Sequence, residues 1–139
     1  LKPEETQALK SYLDQGGFLL LEARLGSEEA AKSALRVATD LALAVEAAEG
    51  TPLLTGDLPG DAKGFDVQKT RLRKDGKLTE AETDLRLLKA GDRIVGAYSP
   101  LDLSVSATGL RCWGLKGYAP TDARRLLANV ILLRSTKAP

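Results

Sequence analysis

The sequence predicts an α/β domain whose sheet is covered by helices on both faces. Three observations carry this. Segments with a helical spacing of apolar residues alternate with short apolar runs of strand length. Residues 18–21 are continuously apolar and lie between turn signals, the pattern of a strand buried on both sides. The 139 residues suit a single domain, 1–139, with enough chain for a real core.

Residues 3–15 read as a helix. Pro3 suits the first helical position, and Glu4 and Glu5 complement the positive end of the helix dipole. Ala8, Leu9, Tyr12 and Leu13 make an apolar stripe, which Gly16 and Gly17 end. The strand at 18–21 follows. Ser27 is placed to cap a second, longer helix reaching about residue 48, with Glu28 and Glu29 in its first turn. Ala30, Ala34, Leu35, Ala38, Leu41, Ala42 and Val45 line one face of it. Residues 51–64, with Gly56, Pro59, Gly60 and Gly64, read as a surface loop.

Residues 65–73 are strand-like, and Asp75-Gly76 is a tight-turn signal with weak flanking alternation. Leu85, Leu87 and Leu88, then Ala90-Gly91-Asp92, then residues 93–98 predict a hairpin, with Ile94, Val95, Ala97 and Tyr98 in the core. Residues 99–119 read as loop-rich. Residues 120–133 close the chain as a helix, where Asn129 interrupts an apolar face and is expected to pin a loop backbone. The first element is a helix and a strand needs neighbours. One or two strands of the intact domain are therefore expected before Leu1, in keeping with a segment that begins with Leu and holds no Met.

Composition excludes more than it supplies. There is no His and only one Cys. Ser-His-Asp and Cys-His catalysis, an HExxH metal site, an internal disulfide and a zinc cage are all out of reach. No dinucleotide or Walker loop and no metal-ligand cluster is present, so no cofactor or metal is expected. No run approaches the ~20 apolar residues of a membrane span, and no signal-peptide pattern is visible.

Charge is unevenly placed. Residues 1–64 hold 6 basic and 11 acidic side chains, and residues 65–139 hold 14 and 8. The basic run Lys69, Arg71, Arg73, Lys74, Lys77 reads as an exposed strand, solvated or paired with the acidic half. No aromatic residues interleave with it, so no nucleic-acid partner is expected.

Two stretches carry a resemblance. One is Glu4-Glu5 with Tyr12-Leu13-Asp14-Gln15-Gly16-Gly17-Phe18-Leu19-Leu20. The other is Gly91-Asp92-Arg93-Ile94-Val95-Gly96-Ala97-Tyr98-Ser99-Pro100-Leu101-Asp102-Leu103-Ser104, with Gly117-Tyr118 and the helix bearing Asn129. Together they resemble the bacterial family called domain of unknown function 4159. The resemblance covers most of the chain and is weak between residues 51 and 84. It implies a three-layer flavodoxin-like, glutamine-amidotransferase-like sandwich. It also implies a place at the end of longer envelope or exported proteins, some beside helical-repeat domains like those of terpene cyclases. The family usually carries a His before its middle strands, and this chain has none. Amidotransferase chemistry needs a Cys on a strand-to-helix elbow and a His to activate it. Cys112 lies in a loop with no His to pair with, so that activity does not carry over.

Five residues are the candidate binding site: Ser99, Asp102, Ser104, Trp113 and Tyr118. Asp102 follows a strand, where open α/β sheets place ligand residues. It reads either as a pocket acceptor or as a shaper of its own turn. Ser99 and Ser104 flank it. Trp113 and Tyr118 stand ready to stack on a ligand or to cover the core edge. The expectation is a non-catalytic binding or interaction module of a larger bacterial protein, contacting neighbouring domains of the parent chain or a protein partner. The alternative is a carboxylate-based hydrolase using Asp102 and Glu22.

Overall fold

A computed structural model describes residues 1–136. Helix α1 spans Pro3–Asp14, with Pro3 at its start, and strand β1 spans Leu19–Glu22. A 3-10 turn at Arg24–Gly26 leads into α2, Glu28–Asp40. The Ser27 hydroxyl accepts the Ala30 N–H, as its capping position requires.

The second helix is shorter than the apolar stripe implies. It ends in a Schellman motif: the Ala42 N–H donates to Thr39 O and the Leu43 N–H to Ala38 O. Ala42 takes the left-handed φ of 56° that glycine usually supplies here. The chain then turns into strand β2, Ala44–Ala47. Residues 51–64 are a loop that contains a short helix α3, Pro52–Thr55, which buries Leu53 and Leu54.

Strands β3, Lys69–Lys74, and β4, Lys77–Glu82, form a hairpin. Asp75 and Gly76 both have positive φ, the geometry that matches strand twist in a two-residue turn. Strands β5, Arg86–Ala90, and β6, Arg93–Ser99, form the hairpin expected from the leucines. The loop-rich stretch after it holds helix α4, Ser104–Thr108, and strand β7, Gly117–Tyr118. Helix α5 closes the fold at Pro120–Ser135.

The fold is thus mixed α/β, with two sheets. One has the order β1-β6-β5-β2, the other β4-β3-β7. In the first, only β1 and β6 pair in parallel, and the other neighbours are antiparallel. Its two sides carry separate buried clusters, since consecutive strand residues point to opposite faces. Leu88, Val95 and Tyr98 pack with Leu13, Ala34, Ala38 and Leu41, from α1 and the end of α2. Leu87 and Ala97 pack with Leu53, Leu126 and Val130, from α3 and α5. A bulge opposite Leu88 and Lys89 shifts the alternation, so that Val95 joins the cluster of Tyr98 and not that of Ala97.

Asn129 joins α5 to the loop. It is fully buried, its Oδ1 accepts the Phe65 N–H, and its amide donates to Leu53 O and Phe65 O. All its partners are backbone groups of the 51–65 segment, which explains a buried amide on an apolar helix face.

Gly96 permits the β1–β6 approach. A Cβ there would lie 2.2 Å from Leu19 O and 3.1 Å from Leu88 Cδ1. We predict that Gly96→Ala costs at least ~2 kcal/mol, because backbone must move to admit the methyl. Chemical denaturation measures this, and a loss within ~0.5 kcal/mol of zero would contradict it.

Candidate functional site

Because β1 and β6 run parallel in register, Glu22 stands beside Ser99 where both strands end. Two carboxylates then cross. Asp102 lies in the segment after β6, yet its Oδ2 accepts the N–H of Leu25, in the turn after β1, at 2.8 Å. Its Oδ1 accepts the Ser106 N–H at 2.8 Å and the Ser106 hydroxyl at 3.1 Å. Glu22 closes β1, yet its Oε2 accepts the N–H groups of Leu103 and Ser104, both at 2.9 Å, and its Oε1 accepts the Ser104 hydroxyl. Each carboxylate therefore straps down the other strand's outgoing loop. Between them they satisfy the amides of Ser104 and Ser106 in the first turn of α4, which the helix leaves free.

Leu25 shows how tightly the crossing holds. It has φ 56°, a left-handed conformation costing a non-glycine residue roughly 1–2 kcal/mol. Its N–H is held by Asp102 and its carbonyl by the Lys116 N–H at 3.0 Å. Next to it, a Cβ on Gly26 would lie 2.0 Å from Lys116 O.

The five candidate residues separate into four settings. Asp102 is fully buried and its carboxylate is taken by backbone and Ser106. Ser104 is exposed and bound to Glu22. Ser99 is fully buried, donates to Leu101 O and accepts the Leu101 N–H. Tyr118 is buried in the larger cluster, its hydroxyl donating to Asp84 O at 3.3 Å. Burial pushes its phenol up to about 12, with a smaller opposing effect from the nearby Ser99 side chain. The structure thus brings Ser99 to Tyr118 and leaves Trp113 apart, completely exposed. Every fully buried side-chain polar atom among the described residues has a partner. No group of three or more His, Cys, Asp or Glu among them is placed to hold a metal ion, and no helix is long and apolar enough to cross a membrane.

Open space lies further along the same loop. A groove of about 560 Å³ runs between the β3–β4 turn and residues 111–115, lined by Arg73, Asp75, Arg111, Cys112, Trp113 and Leu115. A smaller cavity of about 90 Å³ shares Arg73, Arg111 and Leu115 with it and reaches Tyr118 and Pro120. Sequence reasoning placed Arg73 in a charge run and missed its pairing in space with Arg111. The rest of that run is partly neutralised from its own half of the chain. Lys69 and Arg71 are exposed, as expected of a solvated strand, and their ion pairs, Lys69 with Glu82 and Arg71 with Asp122, come from their own half of the chain and not from the acidic half. Adjacent strands and the start of α5 bring those carboxylates closer than the N-terminal half does.

Two predictions follow from this geometry. Asp102→Ala strips the acceptor from two backbone amides and a hydroxyl and is expected to cost about 3 kcal/mol, whereas Ser106→Ala loses one hydrogen bond, worth about 1 kcal/mol. The reverse order in urea denaturation would contradict the crossing. Tyr118 supplies the second. Its folded pKa lies above the ordinary value of 10.0, so its stabilisation is complete below pH 10 and is lost as pH rises towards 12. A shift of this size corresponds to roughly 2–3 kcal/mol. Tyr118→Phe should flatten the alkaline fall of stability between those pH values, and an unchanged profile would refute the assignment. No protein-family model matches this chain, and neither a curated protein nor a solved structure does.

Proposed function

We propose that the chain is a non-catalytic binding or interaction module of a longer bacterial protein, of the family called domain of unknown function 4159. On this reading it is built on a flavodoxin-like, glutamine-amidotransferase-like sandwich and contacts neighbouring domains or a protein partner through the 109–118 loop. The observation that carries the reading is Trp113. A tryptophan exposed over 100% of its reference area gains nothing from folding, and such residues are typical anchors of interfaces. The engagement of Asp102, Glu22 and Ser99 by internal hydrogen bonds supports it further, since catalysis would have to release them first. The parallel β1–β6 pair, with buried clusters on both sides of its sheet, supports the sandwich.

Trp113 is the chain's single tryptophan and reports on this site alone. With any other tryptophans of the parent replaced by Phe, acrylamide should quench Trp113 markedly less in the intact parent, or with its protein partner bound, than in residues 1–139 alone. Equal quenching throughout would count against the module.

A further inference from the structure

We infer that the groove between the β3–β4 turn and residues 111–115 binds an acidic peptide segment carrying an aromatic or large apolar side chain. The inference rests on the binding-module reading and names the partner's chemistry. Arg71 and Arg73 lie two residues apart on one strand and so face the same way. Arg71 has Asp122 as its partner at 3.1 Å. One step along, the half-buried Arg73 has no carboxylate, and its guanidinium, like that of Arg111, makes no ion pair or hydrogen bond among the described residues. Both arginines line both the groove and the smaller cavity beside it. That cavity also touches Pro120, at the start of the sixteen-residue α5, whose first-turn carboxylate, Asp122, is taken up by Arg71.

Arg73 and Arg111 therefore border one groove without an ion pair of their own, and a carboxylate placed between them would give both a partner. Arginine is suited to this because its planar fork binds a carboxylate with two parallel hydrogen bonds. Trp113 on the rim offers the apolar surface that a side chain next to those carboxylates would cover.

A peptide fits better than nucleic acid. Asp75 lies in the groove, so an occupant must bring its negative charge to the arginines and keep it off Asp75, which a peptide's side chains can do and an evenly charged phosphate backbone cannot. One aromatic residue also gives no series of stacking platforms. A small inorganic anion would fill little of about 560 Å³.

The test uses residues 1–139 and a capped hexapeptide, Glu-Asp-Phe-Glu-Asp-Leu, followed by Trp113 emission and calorimetry. Saturable binding with a blue shift is expected. Arg73→Gln and Arg111→Gln should each weaken it about tenfold, the loss of one charged hydrogen bond. Trp113→Ala, read by calorimetry, should weaken it as well, and retained thermal unfolding shows that each variant is folded. Undetectable binding overturns the inference. So does equal affinity for the Gln-Asn-Phe-Gln-Asn-Leu peptide, or insensitivity to both arginine changes. Tighter arginine-dependent binding of a twelve-nucleotide single strand overturns the peptide class, and an equal response to inorganic phosphate reduces the site to a general anion site. If the peptide fails while Trp113 stays protected in the parent, only the partner's chemistry is wrong. If both fail, the module reading falls with it.

Discussion

The crossing of Glu22 and Asp102 is the constraint on which this end of the molecule depends. Parallel strands end side by side, and their outgoing loops would otherwise diverge to separate helices. Here each loop is tied to a carboxylate supplied from the other strand's side. Leu25 can remain left-handed because both of its backbone polar groups are held. Through Lys116 the same knot fixes the start of β7, which brings Tyr118 against β3 and so joins the small sheet to the main one.

Parts of this were legible in the sequence, for physical reasons that differ by element. Pro3, the paired glycines after α1 and the Ser27 cap are local signals, and the structure places element ends beside all three. The leucine hairpin was legible because β5 and β6 bury long runs. Strand β2 was not, because the apolar spacing of Leu41, Ala42 and Val45 fits a helix, and the turn uses Ala42 where glycine would have announced it. Strand β4 was also obscure. Residues 77–82 are largely exposed and have no apolar alternation, so the strand exists by pairing with β3. The mixed direction of the main sheet is likewise a matter of pairing, which a single strand's pattern does not encode.

The candidate site was legible as a region and not as an arrangement. Asp102 and Ser104 follow a strand as read, but Asp102 is held mainly by the backbone amides of Leu25 and Ser106, which leave no trace in a sequence, and Ser104 by Glu22 from a strand 82 residues away. Trp113 and Tyr118 read alike as two aromatics in one loop. Tyr118 is drawn into the core by its ladder with Leu72, while Trp113 lies in a turn with no strand to pair. Arg73 and Arg111 could not be paired from sequence, since only the hairpin turn and the loop together bring them to one groove.

The strand order of the main sheet has a kinetic side as well. Strands β5 and β6 are neighbours in sequence and need only a short turn to meet. Strand β1 pairs with β6 across the whole middle of the chain, and Leu25 is tied to Asp102 across 77 residues. Closing so long a loop carries a large entropic cost before any contact rewards it. On that argument the hairpin forms early, and β1 docks late as an apolar strand waiting for its edge. During synthesis the first strand would leave the ribosome well before its partner exists. The crossed carboxylates, whose four partners lie on both sides of that gap, are then the last groups to find their places.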